Sequence, residues 1–495
     1  MKKLIILSGM LYISIIIANA QPPLDDKDIS SAIEDQYFFD HAINVNNIDV
    51  NVIDGIVELT GFVDNIKAKE RAANIAQLIK GVRSVSNRIA VKPSVELTDD
   101  EILGRVRNAL FRDPATNLFE LIITVDGGVV TLLGTVDSYQ KKELCGNVSK
   151  SVKGVVGLEN NINVDYKFTR PDSEVKNEIE QALKWNATVR DGLISVNVKN
   201  GDVKLNGVVG SFAEKNNAFR TAWVAGVRSV DNSGLEVKWW ARNEDLRKNK
   251  NVVRSDEEIE KAIKDAALYD PRVFSFNITP ESNNRLVTLR GTVDNVRAKK
   301  AAESLAKNTT GVRGVTNRIK VKMEFPPTDS EIEAKINAGL INNVITESSE
   351  IHVFVNNGIV TLTGVVDSYL EKMEAENVVN GVKGVNDVNN ILTVNFPYGY
   401  YFPDNYPNYD LYIDPPVLDD VPTIDFPNDN DIKESVINKL YWSPFVDSEQ
   451  VTVEVENGKV TLKGTVDSWL EYQKAAENAW KGGAWAITNE LIVVE

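Results

Sequence analysis

The sequence predicts an α+β chain: a tandem array of six small αββαβ modules, each a three-stranded sheet with two helices on one face. Three observations predict it. A phrase of the form Gly-x-Val-x-Leu-x-Gly recurs along the chain, a second phrase ending in Asn follows every copy, and Asn-Gly or Asp-Gly pairs split runs of alternating apolar residues. Two linked phrases returning in order mark one supersecondary unit copied many times.

The first phrase runs from Gly55 to Gly61, Gly128 to Gly134, Gly201 to Gly207, Arg285 to Gly291, Gly358 to Gly364 and Gly458 to Gly464. The second opens at Gly81, Gly154, Gly226, Gly311, Gly384 and Gly483, and closes at Asn87, Asn160, Asn232, Asn317, Asn390 and Asn489. Positions 61, 134 and 207 are 73 residues apart, as are 291 and 364, but the intervals into Gly291 and Gly464 are longer. The first long interval holds a polar stretch at 242–254 and what reads as a longer hairpin loop at 280–284. The second holds 396–427, rich in Pro, Tyr, Asp and Asn and without apolar period, which reads as a linker. The expected modules are therefore 25–93, 97–167, 171–239, 255–324, 328–395 and 428–495, with linkers at 240–254 and 396–427.

Each module opens with an amphipathic helix. Capping boxes start three of them, Thr98 with Glu101, Ser255 with Glu258 and Thr328 with Glu331. Ile102, Val106, Ala109 and Leu110 then recur at helical spacing. A hairpin follows, in which Val451, Val453 and Val455 alternate with Thr452 and Glu454. Its turn is Asn457-Gly458, with Asp54-Gly55, Asn200-Gly201 and Asn357-Gly358 as counterparts, and such pairs suit a type I′ turn with positive φ at both residues. The Asp after the hairpin (Asp64, Asp137, Asp294, Asp367, Asp467) reads as the N-cap of a second helix, and the Gly of the second phrase as its C′ stop. A last strand, such as 88–92, completes the module. At about 70 residues a module is large enough to fold singly. Cys145 is the only cysteine and stands where the first copy has Ala72, so it is expected as a small core residue, and no disulfide supports these folds.

This element order and both phrases resemble the BON domain (bacterial osmotically inducible and nodulation), over nearly the whole chain outside the linkers. Departures are local: Gly210 replaces the capping Asp in the third copy, Arg285 replaces the turn glycine in the fourth, and Ala484 and Ile487 loosen the sixth. The resemblance implies a periplasmic protein attached to envelope membranes or phospholipids, or one aiding envelope integrity under osmotic stress. It brings no catalytic residues and no cofactor.

Export is read from the first residues. Lys2 and Lys3, an apolar run over 4–17 and the A-x-A site Ala18-Asn19-Ala20 describe a secretory signal peptide at 1–20, cleaved after Ala20. No later run is long and apolar enough to suggest a transmembrane segment in the mature chain. The net charge of −16 argues against a general nucleic-acid binder. Enzyme chemistry finds no support. His41 and His352 belong to different modules, one Cys cannot build a zinc cluster, and no Walker, H-E-x-x-H or G-x-S-x-G motif occurs. The acidic and Tyr-rich residues around 404–431 do not follow the spacing of a Ca²⁺ loop, so a plain linker is the expectation.

The copies are not equivalent. Modules 1 and 4 share Asn-Arg-Ile at Asn87 and Asn317, modules 2 and 5 share Val-Asp-Ser-Tyr, and modules 3 and 6 share Trp223 and Trp480, which points to a duplicated triplet. Modules 1 and 4 are also polarised. Over 64–92 there are seven Lys or Arg against two Asp or Glu, and over 294–322 eight against two, whereas the opening helices are acidic. Lys67, Lys69, Arg71, Arg297, Lys299 and Lys300 are therefore candidate contacts for anionic lipid or an envelope partner. The competing reading is a solvated helix face set against an acidic neighbour, the usual fate of a charge run. Two functions follow as expectations: an envelope binder of membrane phospholipid or membrane protein, or a periplasmic holding protein for apolar clients. An exposed apolar sheet face would favour the second, clustered free basic side chains the first.

Overall fold

The structure is a computed structural model that describes residues 24–494 except 39, 41–42, 44–46, 117–119, 167–169, 243–252, 274–275, 347–349, 395–427 and 485. The predicted signal segment, His41, the 396–427 linker and most of the 240–254 linker lie outside the described residues.

Among the described residues there are twelve α-helices, two to a module. They are α1 (Asp26–Phe38) and α2 (Ile66–Gln77), α3 (Asp99–Arg112) and α4 (Tyr139–Lys150), α5 (Asp172–Trp185) and α6 (Phe212–Thr221), α7 (Asp256–Tyr269) and α8 (Val296–Lys307), α9 (Asp329–Asn342) and α10 (Tyr369–Asn380), and α11 (Asp429–Trp442) and α12 (Trp469–Lys481). Each module has the order αββαβ, as the repeats predict. In module 1 the strand Ile48–Ile53 pairs antiparallel with Ile56–Val63, and the last strand runs parallel to that same central strand on its other side. The second helix is thus the crossover of a β-α-β unit, and both helices cover one sheet face. In modules 1, 4 and 5 the last strand is broken into two pieces just after the phrase-ending Asn; elsewhere it is continuous.

The alternation read from the sequence sets the sheet's two sides. In Val451–Glu456, Val453 is buried while Thr452, Glu454 and Glu456 are exposed. The buried side meets the helix stripe, giving each module its own core; in module 2, Ile102, Val106, Val130, Leu132 and Cys145 pack together. Cys145 is fully buried, and burial pushes its thiol up to about 12, as expected of a core residue. The hairpin turns carry positive φ at both residues, for example 50° at Asn457 and 71° at Gly458. Arg285, at φ 66°, adopts the same turn where the other modules use Gly.

Three local expectations are corrected. The second-helix N-cap is one residue beyond the Asp: Asn65, Ser138, Ser211, Asn295, Ser368 and Ser468 each accept an N–H from the first turn. Gly210 therefore costs module 3 no cap, because Ser211 holds it. The glycine of the second phrase is the C′ residue only in module 6, where Gly483 (φ 96°) directly follows the C-cap Gly482; in the other five modules it lies further on. Helix α2 ends at Gln77, with Leu78 as C-cap, and a short loop intervenes before Gly81. Finally, residues 280–283 are strand and not loop: Ile278–Asn283 pairs in the standard register, and Pro280 is accepted because it lies on an edge strand.

The modules are not separate beads. Modules 3 and 4, 2 and 5, and 1 and 6 join through the loop before a second-phrase glycine and the end of an opening helix. Thr310 donates to the Trp185 carbonyl at 2.8 Å, Val344 to Ser151 at 2.9 Å, and Lys80 to Trp442 at 3.0 Å. Short antiparallel bridges, Asn186 with Thr309 and Val152 with Asn343, accompany the first two. Trp442 of module 6 enters the module 1 core, and Val296 of module 4 enters that of module 5. Tyr139 of module 2 stacks on Trp223 of module 3 with ring centroids 4.0 Å apart. Trp480, its expected counterpart in module 6, is exposed.

Lys439 marks the cost of such packing. Its ammonium is buried at the junction of modules 1 and 6, donating to Gln36 Oε1 at 2.8 Å. Burial, with Lys481 beside it, pulls its pKa down to about 8 from 10.5, against the pull of Asp40 and Asp35. The folded chain holds this proton more weakly than the unfolded chain, so stability rises with pH between about 8 and 10.5 and carries the full cost below 8. Lys439→Met is expected to raise stability at pH 7 by up to about 3 kcal/mol. Its advantage should shrink as pH rises through that window. A wild-type-to-variant gap in Tm that stays flat from neutral to alkaline pH would contradict a buried ammonium.

Candidate functional site

The recurring residues resolve into structural parts. The second glycine of the first phrase sits against the start of the hairpin: a Cβ on Gly364 would lie 1.9 Å from the Glu350 carbonyl oxygen. The phrase-ending Asn is a clamp. Asn87 donates from Nδ2 to the Lys69 carbonyl of α2 at 2.7 Å and accepts from the Ile89 N–H through Oδ1 at 3.2 Å. Asn160, Asn317, Asn390 and Asn489 repeat both contacts.

A second clamp escapes the reading of the sequence. Asp26, Asp99, Asp172, Asp256, Asp329 and Asp429 each open a first helix, and each carboxylate accepts both N–H groups of its hairpin turn. Asp329, for instance, takes Asn357 at 2.7 Å and Gly358 at 2.9 Å. Positive-φ turns leave these amides pointing outward together, so one carboxylate can hold both. The signal is an Asp always 29 residues before the second turn residue, hidden among the other acidic residues of the helix starts.

The six basic candidates lie on α2 and α8, and four of them meet carboxylates. Arg71 pairs with Asp40 at 2.8 Å within module 1. Arg297 reaches Asp113 of module 2 with Nε at 2.8 Å and Nη2 at 2.6 Å. Lys299 and Lys300 of module 4 pair with Asp387 and Glu376 of module 5. Lys67 acts by charge on Glu374 of module 5, which hydrogen bonds with Ser151, Asn343 and Asn377 also hold in its ionised form against burial. Lys69 makes no side-chain pair among the described residues.

The outward sheet faces are different. In module 5, Phe354, Ile359 and Val365 are exposed on the side away from the helices, and in module 1 Ile53, Ile56 and Phe62 are exposed on theirs. Phe354 and Ile53 are both 62 % exposed, far beyond what a shielded core residue shows. Period-2 geometry puts such residues on one face. Module 6 carries Thr452, Glu454 and Lys463 on the matching face. His352 lies on the first hairpin strand of module 5 and is exposed. Among the described residues no group of three or more His, Cys, Asp or Glu could hold a metal ion, and no helix is long and apolar enough to cross a membrane.

Comparison with known proteins agrees with this architecture. The BON domain profile matches residues 25–93, 98–166, 171–238, 255–323, 328–395 and 428–495. The chain is 28% identical over 145 residues to osmotically-inducible protein Y of Escherichia coli, spanning 28% of this chain and 72% of that protein. It is 32% identical over 137 residues to an uncharacterized protein in the gshII 5′ region of Anaplasma centrale, spanning 27% and 89%. It is 26% identical over 140 residues to outer membrane lipoprotein DolP of Haemophilus influenzae, spanning 27% and 70%. No catalytic family is indicated by these matches. With six consecutive matches laid over six αββαβ units, this chain belongs to the BON domain family.

Proposed function

We propose that this chain is an exported protein of the cell envelope whose six BON modules are held together as one body and attach to membrane phospholipid or a membrane protein, supporting envelope integrity or osmotic-stress tolerance. The export signal read at 1–20 and the names of two relatives, one osmotically inducible and one an outer membrane lipoprotein, support the setting. One observation carries the mode of attachment. Four of the basic candidates on α2 and α8 are engaged by carboxylates, while the sheets of modules 1 and 5 turn apolar side chains to solvent. Exposed apolar side chains that share a face are the mark of an interaction surface.

With the basic side chains largely engaged, the exposed apolar faces weigh toward the second reading, a holding protein for apolar clients under stress, and leave attachment to rest on apolar contact and not on charge. A photo-crosslinking amino acid placed at Phe354, and for comparison at Glu454 on the same face of module 6, tests both in intact cells. Capture of lipid or one constant membrane protein at Phe354 alone is the expected result. A range of captured proteins that widens under osmotic shock would select the holding role. Equal yields at the two positions would sink both readings of the sheet face.

A further inference from the structure

Helices of five modules converge on a cleft of about 650 Å³, within the size range of small-molecule sites. In a chain of net charge −16 its lining is reversed, with six Lys or Arg against four Asp or Glu. The carboxylates are already occupied. Asp113 is held by Arg297, Glu70 by Lys150, Glu374 by Ser151 and Asn343, and Glu143 by the Tyr139 hydroxyl.

Three guanidinium groups are left over. Arg105 and Arg112 are two turns apart on one face of α3, and Arg220 comes from α6. None of the three makes a side-chain hydrogen bond or ion pair with any described residue. Arg112 is the most telling. Its Nε is buried without a partner, and burial pulls its pKa down. Room for it is made across the α3–α9 contact by Gly339, where a Cβ would lie 3.1 Å from both its Cζ and its Nη1. A buried polar group without a partner is costly, and a guanidinium fork matches the oxygens of a phosphate.

We propose that this inter-module cleft is a binding site for a small multivalent anion bearing phosphate groups, with Arg112 at its floor and Arg105 and Arg220 at its sides. A single phosphate would leave much of the volume empty, so two or more phosphates, or a phosphate on a larger polar body, fit better. The site exists only in the assembled chain, since no one module supplies the set. It stands independently of attachment through the sheet faces.

Calorimetric titration of the mature chain with inorganic tripolyphosphate at low salt is the test. Saturable one-to-one binding is expected, weakened about tenfold or more in Arg112→Gln. Arg88→Gln, which removes an exposed partner of Glu58 outside the cleft, should leave it unchanged. The double variant Arg105→Gln/Arg220→Gln alters side chains that are only partly buried or exposed, and should weaken binding even if Arg112→Gln folds poorly. Competition by phosphatidylglycerol vesicles would identify a lipid headgroup as the source of the phosphate. Competition by soluble glycerol phosphate alone would identify a free anion. No saturable binding, or equal binding by the wild type and the cleft variants, overturns the proposal.

Discussion

Replacing Arg297 by methionine is expected to destabilise the chain by about 3–5 kcal/mol, the cost of leaving a buried charge without its partner. Its partner Asp113 has a side chain only 2 % exposed, and both Nε and Nη2 of Arg297 reach the same carboxylate oxygen. The two residues are 184 positions apart and belong to modules 2 and 4. The loss should therefore appear as weakened coupling between modules, read as faster amide exchange around α8 and the end of α3. Adding Asp113→Asn to Arg297→Met should recover much of the loss, because it removes the orphaned charge. If Arg297 served only to touch lipid, the single variant would keep full stability, and the cycle would show no interaction energy.

The second large effect is local. Gly364 has φ +119°, and a Cβ there would meet the Glu350 carbonyl oxygen at 1.9 Å. Backbone on both sides of the clash leaves nothing flexible to yield. Gly364→Ala should cost about 4 kcal/mol or more and unfold module 5. Gly104 makes the opposite case within the same fold. It lies in the exposed middle of α3 with nothing within 4 Å of its Cβ position. Gly104→Ala should stabilise by about 1 kcal/mol, since only backbone entropy and helix propensity change. Denaturant midpoints for the two variants should move in opposite directions. Similar shifts would mean that the repeated glycine is not required by close approach.

The reading of α2 and α8 shows where pattern runs out. Arg297, Lys299 and Lys300 are visible as an excess of positive charge, and the acidic character of other segments is equally visible. Nothing in the order of residues says that Asp113, Asp387 and Glu376 are the ones they meet. The same holds for Trp442, which ends the opening helix of module 6 and enters the core of module 1. The misplaced second-helix cap has a different origin. Asp64 and Asn65 are both good cap residues, and only the φ and ψ of −148° and 158° at Asn65 decide between them.

The residues of the chain determined what is local: six αββαβ units, their capping boxes, their two-residue turns and the alternation that sorts each strand into a core side and a solvent side. Helix period, strand period and positive-φ turns depend on neighbours a few positions away, so they are written in order and spacing. Tertiary structure decided how the units meet. The loops that link Thr310 to Trp185, Val344 to Ser151 and Lys80 to Trp442, and the carboxylates that occupy the basic helices, depend on surfaces up to several hundred residues apart. Such contacts leave no period, because complementarity between two distant surfaces constrains shape and charge at each one and not the spacing along the chain.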